Sequence, residues 1–517
     1  MHIIIDSSKS KLILKEVSNM KEISTDLLVI GAGGGLVAAL RAKECGVRDI
    51  IVLEKQNRVG GVCIMACGVS AVGTARQKAR GAQQKHDEGA LFTEMMEKSG
   101  WAADPYVVRA FVANSGKFME WVASKGIHPD IVEERDRCFL LKTPHKMRNG
   151  KDTTDLGNAI IDEVYGEAME QGIRIMLETP ATALLQDENG VVTGAIAQEK
   201  DGHEIKIHAK AVIISAGGFC DNAEMKKKLC GRFFDPEKPW EFVPMHSTTY
   251  MGDGIKMALA AGSRPDPHVD IVVGGPTHHG PMSISEAALN PLVIVVNKLG
   301  RRYMAEVLGN DGYFAAANQP DAESYAIFDD AAIEPLVEEL RLNKRYVPNE
   351  KEIPRMVTLR EDLDKVLSVG GTEFHGTFKT KAICRAETIE ELAAFIGCDA
   401  ARLQKTVDDY NRYVENGVDE EMFKDPQWLK LPIKTAPFYA VRMMRFNQCT
   451  HGGISIDEKA EVIKNDWREP IPGLYATGDS ASGWCSELGW LGMTSLTWAL
   501  NSGYMAGENA ADYIAAL

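Results

Sequence analysis

The ten cysteines of this chain contain no CxxC and no CxxCH, so neither a zinc ribbon, a c-type haem nor a disulfide framework is signalled. Cys63 and Cys67 are close together, but the further ligands that an iron–sulfur cluster needs are not supplied at a suitable spacing. No metal site is expected. Basic charge is also short: 58 Lys and Arg stand against 73 Asp and Glu, a formal net charge of −15. That balance excludes nucleic acid as an expected partner, because phosphate binding needs clustered cations that release counterions. The apolar stretch Leu27 to Leu40 is shorter than the roughly 20 residues of a membrane helix and is interrupted by four glycines. No membrane span is expected. Met1 to Leu14 carries Asp6 and lacks the basic start and apolar run of a secretory signal, which gives a cytoplasmic expectation. Internal repeats and low-complexity segments are missing too.

What is present is a globular composition, 45% hydrophobic and 25% charged over 517 residues. That length exceeds one ordinary core, so two domains or a discontinuous domain with a large insertion is expected. His2 to Val17 reads as a short hairpin leading into a core strand at Asp26 to Ile30. Glycines follow at once, then a helical stretch from Leu36 to Cys45 that stops at Gly46, then a second strand at Asp49 to Leu53. This is a βαβ unit. Lys85 to Lys125 has helical periodicity, Pro129 to Thr154 reads as a surface excursion, and Leu156 to Gln171 is helical again. Strand-like runs follow at Ile173 to Glu178, Val191 to Gln198, Glu204 to Ala209 and Ala211 to Ser215, the last ended by Gly217 and Gly218. Gly252 to Ala261 is another glycine-led helix. Pro265, Pro267, Gly274, Pro276, Gly280 and Pro281 then mark a boundary. The expected fold class is α/β: a Rossmann-like dinucleotide domain over 1–267, with the hairpin at 1–20, an inserted α+β capping domain over 268–449, and a return to the first domain over 450–517.

GAGGG at Gly31 to Gly35 lies between a strand and a helix, where backbone N–H groups and the helix dipole hold a pyrophosphate. Glu54 ends the next strand, where its carboxylate can accept from ribose hydroxyls. One departure stands out. Counting G-x-G-x-x-G from Gly31 puts Leu36 at the third glycine, and Gly35 is the residue that can take its role.

From Glu54 the sequence runs EKQNRVGGVCIMACGVSAVGT, and here it resembles the fumarate reductase and succinate dehydrogenase flavoprotein family. Further matches follow in family order: GIRIMLETPATALLQDENGVVTGAI, AVIISAGGFCDNAEM from Ala211, MGDGIKMALAAG from Met251, VVNKLGRRYMAE from Val295 and IPGLYATGDSASG from Ile471. The resemblance implies FAD. It places Gly31, Gly33, Gly34, Gly35, Glu54, Lys55, Gly60, Gly61, Val62, Cys67, Gly68, Ala181, Ala216, Gly217, Gly218, Gly478, Asp479, Ser495 and Leu496 around that cofactor, with Asp479 toward its ribityl or phosphate groups. The helix after Gly489 would aim its N-terminus at the flavin pyrimidine edge and stabilise negative charge on the reduced ring. The HSxxAQGG-like segment through which some relatives attach FAD covalently is not found near Cys63 to Thr74, so non-covalent FAD is expected.

Fumarate reductases of this family clamp two carboxylates with Arg and His and deliver a proton through a dedicated Arg. Here Ser285 and Glu286 fall on the family's substrate-binding Thr-Glu pair. The proton-donor Arg maps to Asn310, the His before the T-x-G-G turn to Cys449, and the C-terminal clamp Arg to Trp490. An amide does not shuttle protons at neutral pH. Losing both arginines leaves a dicarboxylate uncompensated, at a cost of several kcal/mol. Trp484, Trp490 and Trp498 instead point to a bulky aromatic, isoflavonoid-like or steroid-like ring, with core packing the other reading, as strong for Trp490 and stronger for Trp498. Replacement proton donors are His278, His279, Tyr303, Tyr313, Tyr250 and above all His451, expected to titrate near working pH. Arg301 and Arg302 are expected to pair with Glu306, and Cys67 to be a buried thiol. The expected function is an FAD-dependent oxidoreductase moving hydride at a C–C bond of a cyclic substrate. Electrons come from an external donor such as NAD(P)H, reduced flavin or a redox protein. The alternatives are a monocarboxylate enoate or fumarate-type reductase with Arg302 or another unassigned Arg as anion partner, and a flavin subunit of an electron-transfer complex.

Overall fold

The computed structural model describes residues 21–81, 83–132, 135–230, 243–244, 250–266, 268–274, 282–307, 315–316, 319–342, 358–371, 381–443, 446–466 and 469–517. The expected hairpin at 1–20 lies outside them. The chain divides into two compact units, the first from Met1–Met225, Thr248–Ile271 and Cys449–Leu517, the second from Lys226–Ser247 and Val272–Gln448.

The first unit is built on an eight-stranded sheet. Its main path runs Glu461–Ile463, Pro470–Ala476, Glu204–Ile214, Lys21–Ile30, Ile50–Leu53 and Arg174–Met176. The central pairings are parallel, with Leu28 opposite Ile51 on one side and Val212 on the other. Parallel strands are covered on both faces, so they need continuous rather than alternating apolar runs. Leu27, Leu28, Val29, Ile51, Val52, Val212 and Ile213 are accordingly all buried.

Glu204–Ile214 is one strand, although its sequence reads as two runs parted at Lys210, whose amine extends to Asp26. Ala181–Gln186 is a strand that the sequence pattern did not disclose. Its two alanines have low β-propensity, and pairing with Val192–Gln198 supplies what propensity does not. The excursion after Pro129 also holds structure, because Arg135–Leu140 pairs with both Asp130–Val132 and Gly68–Ser70.

The C-terminal helix Thr494–Ala516 packs on the glycine-loop helix Gly34–Glu44 through small residues. A Cβ at Gly34 would lie 2.1 Å from the Ala499 carbonyl oxygen, one at Gly503 would lie 2.3 Å from that of Gly34, and one at Gly507 would lie 2.4 Å from that of Ala38. The backbones therefore touch, and no side chain can be added at this seam. Polar residues on the buried helix are bonded individually: Thr497 Oγ1 bonds Ser70 at 2.9 Å, and Asn501 Nδ2 donates to Phe111 O at 3.0 Å, although Asn501 Oδ1 has no partner among the described residues.

The second unit holds an antiparallel sheet in the order Ile294–Asn297, Ser324–Asp329, Phe438–Met443 and Ile383–Ala386. Alternation divides its side chains cleanly. Val295, Ala326, Phe328, Tyr439 and Val441 face one helical layer with Ile284, Ile333 and Leu363. Ile294, Val296, Tyr325, Ile327 and Ala440 face the other, with Leu392, Leu403 and Tyr410. Thr388 and Asp399 cap the helices of that second layer, accepting from Glu391 N at 3.2 Å and Arg402 N at 2.8 Å. Among the described residues, no helix is long and apolar enough to cross a membrane.

Candidate active site

The strand Lys21–Ile30 delivers the chain into Gly31, whose φ of +105° and whose 2.1 Å clearance from the Ser215 carbonyl oxygen to an added Cβ both demand glycine. Gly33 then caps the helix without a side chain, and the first helical turn carries no acidic residue. Such a helix start is suited to an anion. An added Cβ at Gly35 would lie 2.8 Å from Val29 Cγ1. This is the close helix-to-strand approach that the third glycine of the fingerprint serves, so Leu36 out of pattern is no defect.

Glu54 closes on the loop from the next strand. Its Oε2 accepts from Ala32 N at 3.0 Å and its Oε1 from Gln56 N at 2.8 Å, leaving lone pairs for ribose hydroxyls. Burial pushes its carboxyl upward against those backbone bonds. Thr179 N donates to Glu54 O at 2.9 Å, which sets Ala181 beside it. Gly60 N donates to Ala32 O at 2.8 Å and turns Gly61–Met65 over the loop. Tyr250 covers two glycines, its hydroxyl 2.9 Å from an added Cβ at Gly61 and its ring 2.6 Å from one at Gly217. Lys55 is engaged by Asp253 at 2.7 Å. Cys67 is exposed, contrary to its expected burial; it follows a short 3-10 turn, Gly61–Met65, in which no residue is buried.

A second cluster forms where the Cys449–Gly453 segment meets the turn Gly478–Ser480 and the start of the C-terminal helix. Gly452 N donates to Asp479 O at 3.1 Å, and Ser480 Oγ to Gly217 O at 2.8 Å. Thr450, which the sequence did not flag, accepts from Phe219 N at 2.8 Å and fills the space beside Gly218. Its only signal is its place between Cys449 and His451. His451 is fully buried, its Nε2 lying 3.0 Å from Ser495 Oγ, 3.4 Å from Cys449 Sγ and 3.7 Å from Asp479 Oδ1. Burial alone pushes this imidazole down to about 3 and pushes Asp479 up to about 7. The expectation that His451 titrates near working pH is therefore corrected: the ring is neutral there.

Donor atoms of Cys449, His451 and Asp479 lie within 4.8 Å of one another, the spacing of a metal site. A ligating histidine normally donates its other ring N–H to an acceptor, and His451 Nδ1 is buried without a partner among the described residues. We read the ring as hydrogen-bonded through Nε2 to Ser495 Oγ, with Cys449 Sγ and Asp479 Oδ1 as its neighbours and not as metal ligands.

Trp484 stacks on Trp498 at 5.5 Å and meets His451 at 4.7 Å, while Trp490 stands edge-on to His451 at 5.6 Å. Trp484 and Trp498 are each 1% exposed, and Trp498 Nε1 donates to Gly478 O at 2.9 Å. These two are core rings, which corrects the expected role of Trp484 as a substrate surface and agrees with core packing for Trp498. Trp490 alone of the three is half-buried.

In the second unit Ser285 is buried and Glu286 half-buried on the helix Met282–Ala288, and Tyr303 packs on its apolar layer. Arg302 bonds Glu306 through Nε at 2.9 Å and Nη2 at 2.8 Å, and Asp419 at 2.8 Å; Lys424 meets Glu306 at 3.2 Å. All four side chains are buried. Arg302 is thus spent inside the unit and is not an anion partner for substrate, while Arg301 is exposed. Asn310, His278, His279 and Tyr313 lie outside the described residues.

The glycine cradle, the Glu54 carboxylate and the half-buried Asp479 carboxyl fit a dinucleotide whose phosphates meet helix amides and whose hydroxyls meet carboxylates. Comparison with known proteins agrees. The profile of the FAD binding domain family matches residues 26–490. A vinyl phenol reductase of Lactiplantibacillus plantarum is 26% identical over 95% of this chain and 97% of its own length. A urocanate reductase of Eggerthella lenta is 29% identical over 94% of this chain and 74% of its own. Among solved structures, the open conformation of a flavocytochrome c3 fumarate reductase superposes with a TM-score of 0.69 at 24% identity, over 99% of this chain and 82% of that one. A 3-ketosteroid-Δ4-(5α)-dehydrogenase from Rhodococcus jostii RHA1 gives 0.68 at 22%, over 95% and 98%. The chain belongs to the FAD binding domain family and is an FAD-dependent oxidoreductase related to the fumarate reductases.

Proposed function

We propose that this enzyme reduces an activated C=C bond in a neutral substrate that carries a planar ring. The observation that carries the reading is the composition of the His451 cluster: Cys449, Ser495, Trp484 and Trp490 surround the ring, and no described Lys or Arg pairs with His451 or Asp479. Trp490, where the resemblance puts a clamp arginine, offers instead an aromatic face beside a neutral imidazole. The vinyl phenol reductase, whose named substrate joins a ring to an alkene, supports the same class.

FAD, when bound, supplies the hydride chemistry. The chain's own residues hold and orient. Gly31 to Gly35 receive the phosphates, Glu54 and Asp479 accept hydroxyls, and Trp490 aligns the ring of the substrate. His451 keeps one ring N–H and acts as a hydrogen-bond donor, since its imidazolium is not populated at working pH. Roles for Ser285, Glu286 and Cys449 in substrate contact rest on the resemblance alone, and that of Tyr303 as a proton donor on its residue type; Ser285→Ala and Tyr303→Phe test them through KM and kcat. FAD is held without a covalent bond, so acid precipitation should release the yellow colour. Electrons arrive from an external donor.

The test is anaerobic turnover of the flavin-loaded enzyme with a reduced dye as donor, comparing a vinyl phenol, an unsaturated monocarboxylate and fumarate. The ring compound should be the best substrate by kcat/KM. Preference for fumarate would overturn the proposal, and preference for the monocarboxylate would return the enoate reading.

A further inference from the structure

The fully buried His451 ring is fixed by Trp484 at 4.7 Å and Trp490 at 5.6 Å, so its two nitrogens have separate fates. Nε2 faces Ser495 Oγ at 3.0 Å. Nδ1 has no partner among the described residues. A buried N–H without an acceptor forfeits a full hydrogen bond, and orphaned donors are rarer than under-used acceptors. The ring proton therefore belongs on Nε2, where Ser495 Oγ accepts it. A serine that accepts in this way still has its own proton to give.

The position of Ser495 says where that proton goes. It lies in the first turn of the C-terminal helix, whose N-cap Met493 has φ +71° and provides no side-chain cap. Thr494 and Leu496 on either side are buried, while Ser495 is half-buried, so this turn opens at the serine. Thr494 turns its hydroxyl back to Leu491 O at 2.5 Å. Ser495 has its hydrogen bond to His451 and, among the described residues, no other.

We propose that His451 is a positioning residue that orients the Ser495 hydroxyl as a hydrogen-bond donor to the electron-rich edge of the FAD ring, and that the pair raises the flavin midpoint potential. The inference rests on the reading that FAD occupies this cradle with the helix start at its pyrimidine edge. A donor aimed at charge that appears on reduction favours the reduced form. The neutral imidazole acts through its N–H and adds no charge.

The experiment is a dye-coupled potential titration of the flavin-loaded enzyme and its variants. Ser495→Ala and His451→Phe should each lower the ratio of reduced to oxidised flavin about tenfold at fixed potential, which is about 30 mV for a two-electron couple. Ser495→Thr keeps the hydroxyl and should keep the potential. The double variant should shift no further than either single one, because the two act as one unit. An unchanged potential in Ser495→Ala, or additive shifts in the double variant, overturns the inference. If His451→Phe does not fold, the Ala and Thr variants at 495 decide. Wild-type protein that holds no flavin at all would instead sink the cofactor reading beneath it.

Discussion

The two units each bury a polar cluster, and they treat charge in opposite ways. In the second unit Arg302, Glu306, Asp419 and Lys424 are buried together, two cations against two anions, each head group bonded, with only Arg302 Nη1 lacking a partner among the described residues. In the first, His451 and Asp479 are desolvated without a compensating cation among the described residues, and their proton affinities move apart as a result. A compensated cluster fixes structure. An uncompensated one suits a bound group that brings its own partners, which is the role proposed above for the cofactor.

The sharpest way to break the contrast is Glu306→Gln. It leaves Arg302 and Lys424 facing each other with half their counter-charge, and a loss of about 3–5 kcal/mol in urea denaturation is expected. Replacing Lys424 by methionine in that background should recover part of the loss, since Arg302 then faces Asp419 one to one. Next in size is the effect of cofactor on the other cluster. Free FAD at about 100 times its Kd should stabilise the protein by about 2.7 kcal/mol, read as a concentration-dependent melting temperature. Glu306→Gln should leave that increment unchanged.

The pH response of FAD-free protein comes third. His451 is held below its unfolded value, so the stability that its neutral form maintains is complete above the unfolded pKa and is lost as pH falls. Asp479 is held above its unfolded value, so its contribution has the opposite sign: stability is lost as pH rises from about 4 to about 7. Between pH 7 and 5 each is worth about 2 kcal/mol and they nearly cancel. His451→Gln should therefore make the FAD-free protein more stable at pH 5 relative to pH 7, and Asp479→Asn less stable, by chemical denaturation at both pH values. Equal slopes in the two variants would remove the physical basis of the contrast. The smallest expected effect is Trp490→Phe, which should stay within about 0.5 kcal/mol of wild type because the site is half-exposed. It should nevertheless raise KM for ring substrates.

The sequence discloses the first unit through its backbone demands. Continuous apolar runs announce parallel strands, and Gly31 is dictated by a positive φ that other residues rarely adopt. Gly35 is harder, because its reason is contact with Val29 and Ser215 rather than local geometry. The second unit's ion cluster is only half legible: Glu306 sits four residues from Arg302, but Asp419 is 117 residues away. No local pattern links positions so distant. Burial of Trp484 and Trp498 has the same character, since a tryptophan's sequence neighbours do not say which ring will stack on which. The state of His451 was misread because residue type carries a solution pKa, whereas the folded value is set by burial contributed from several segments.

The most direct measurement is stopped-flow reoxidation of the anaerobically reduced flavoenzyme by candidate acceptors, followed at the flavin absorption band. A ring-conjugated alkene without a carboxylate should reoxidise the flavin within the turnover time, and fumarate should leave it reduced. Rapid reoxidation by fumarate, with the ring alkene inert, would contradict the account.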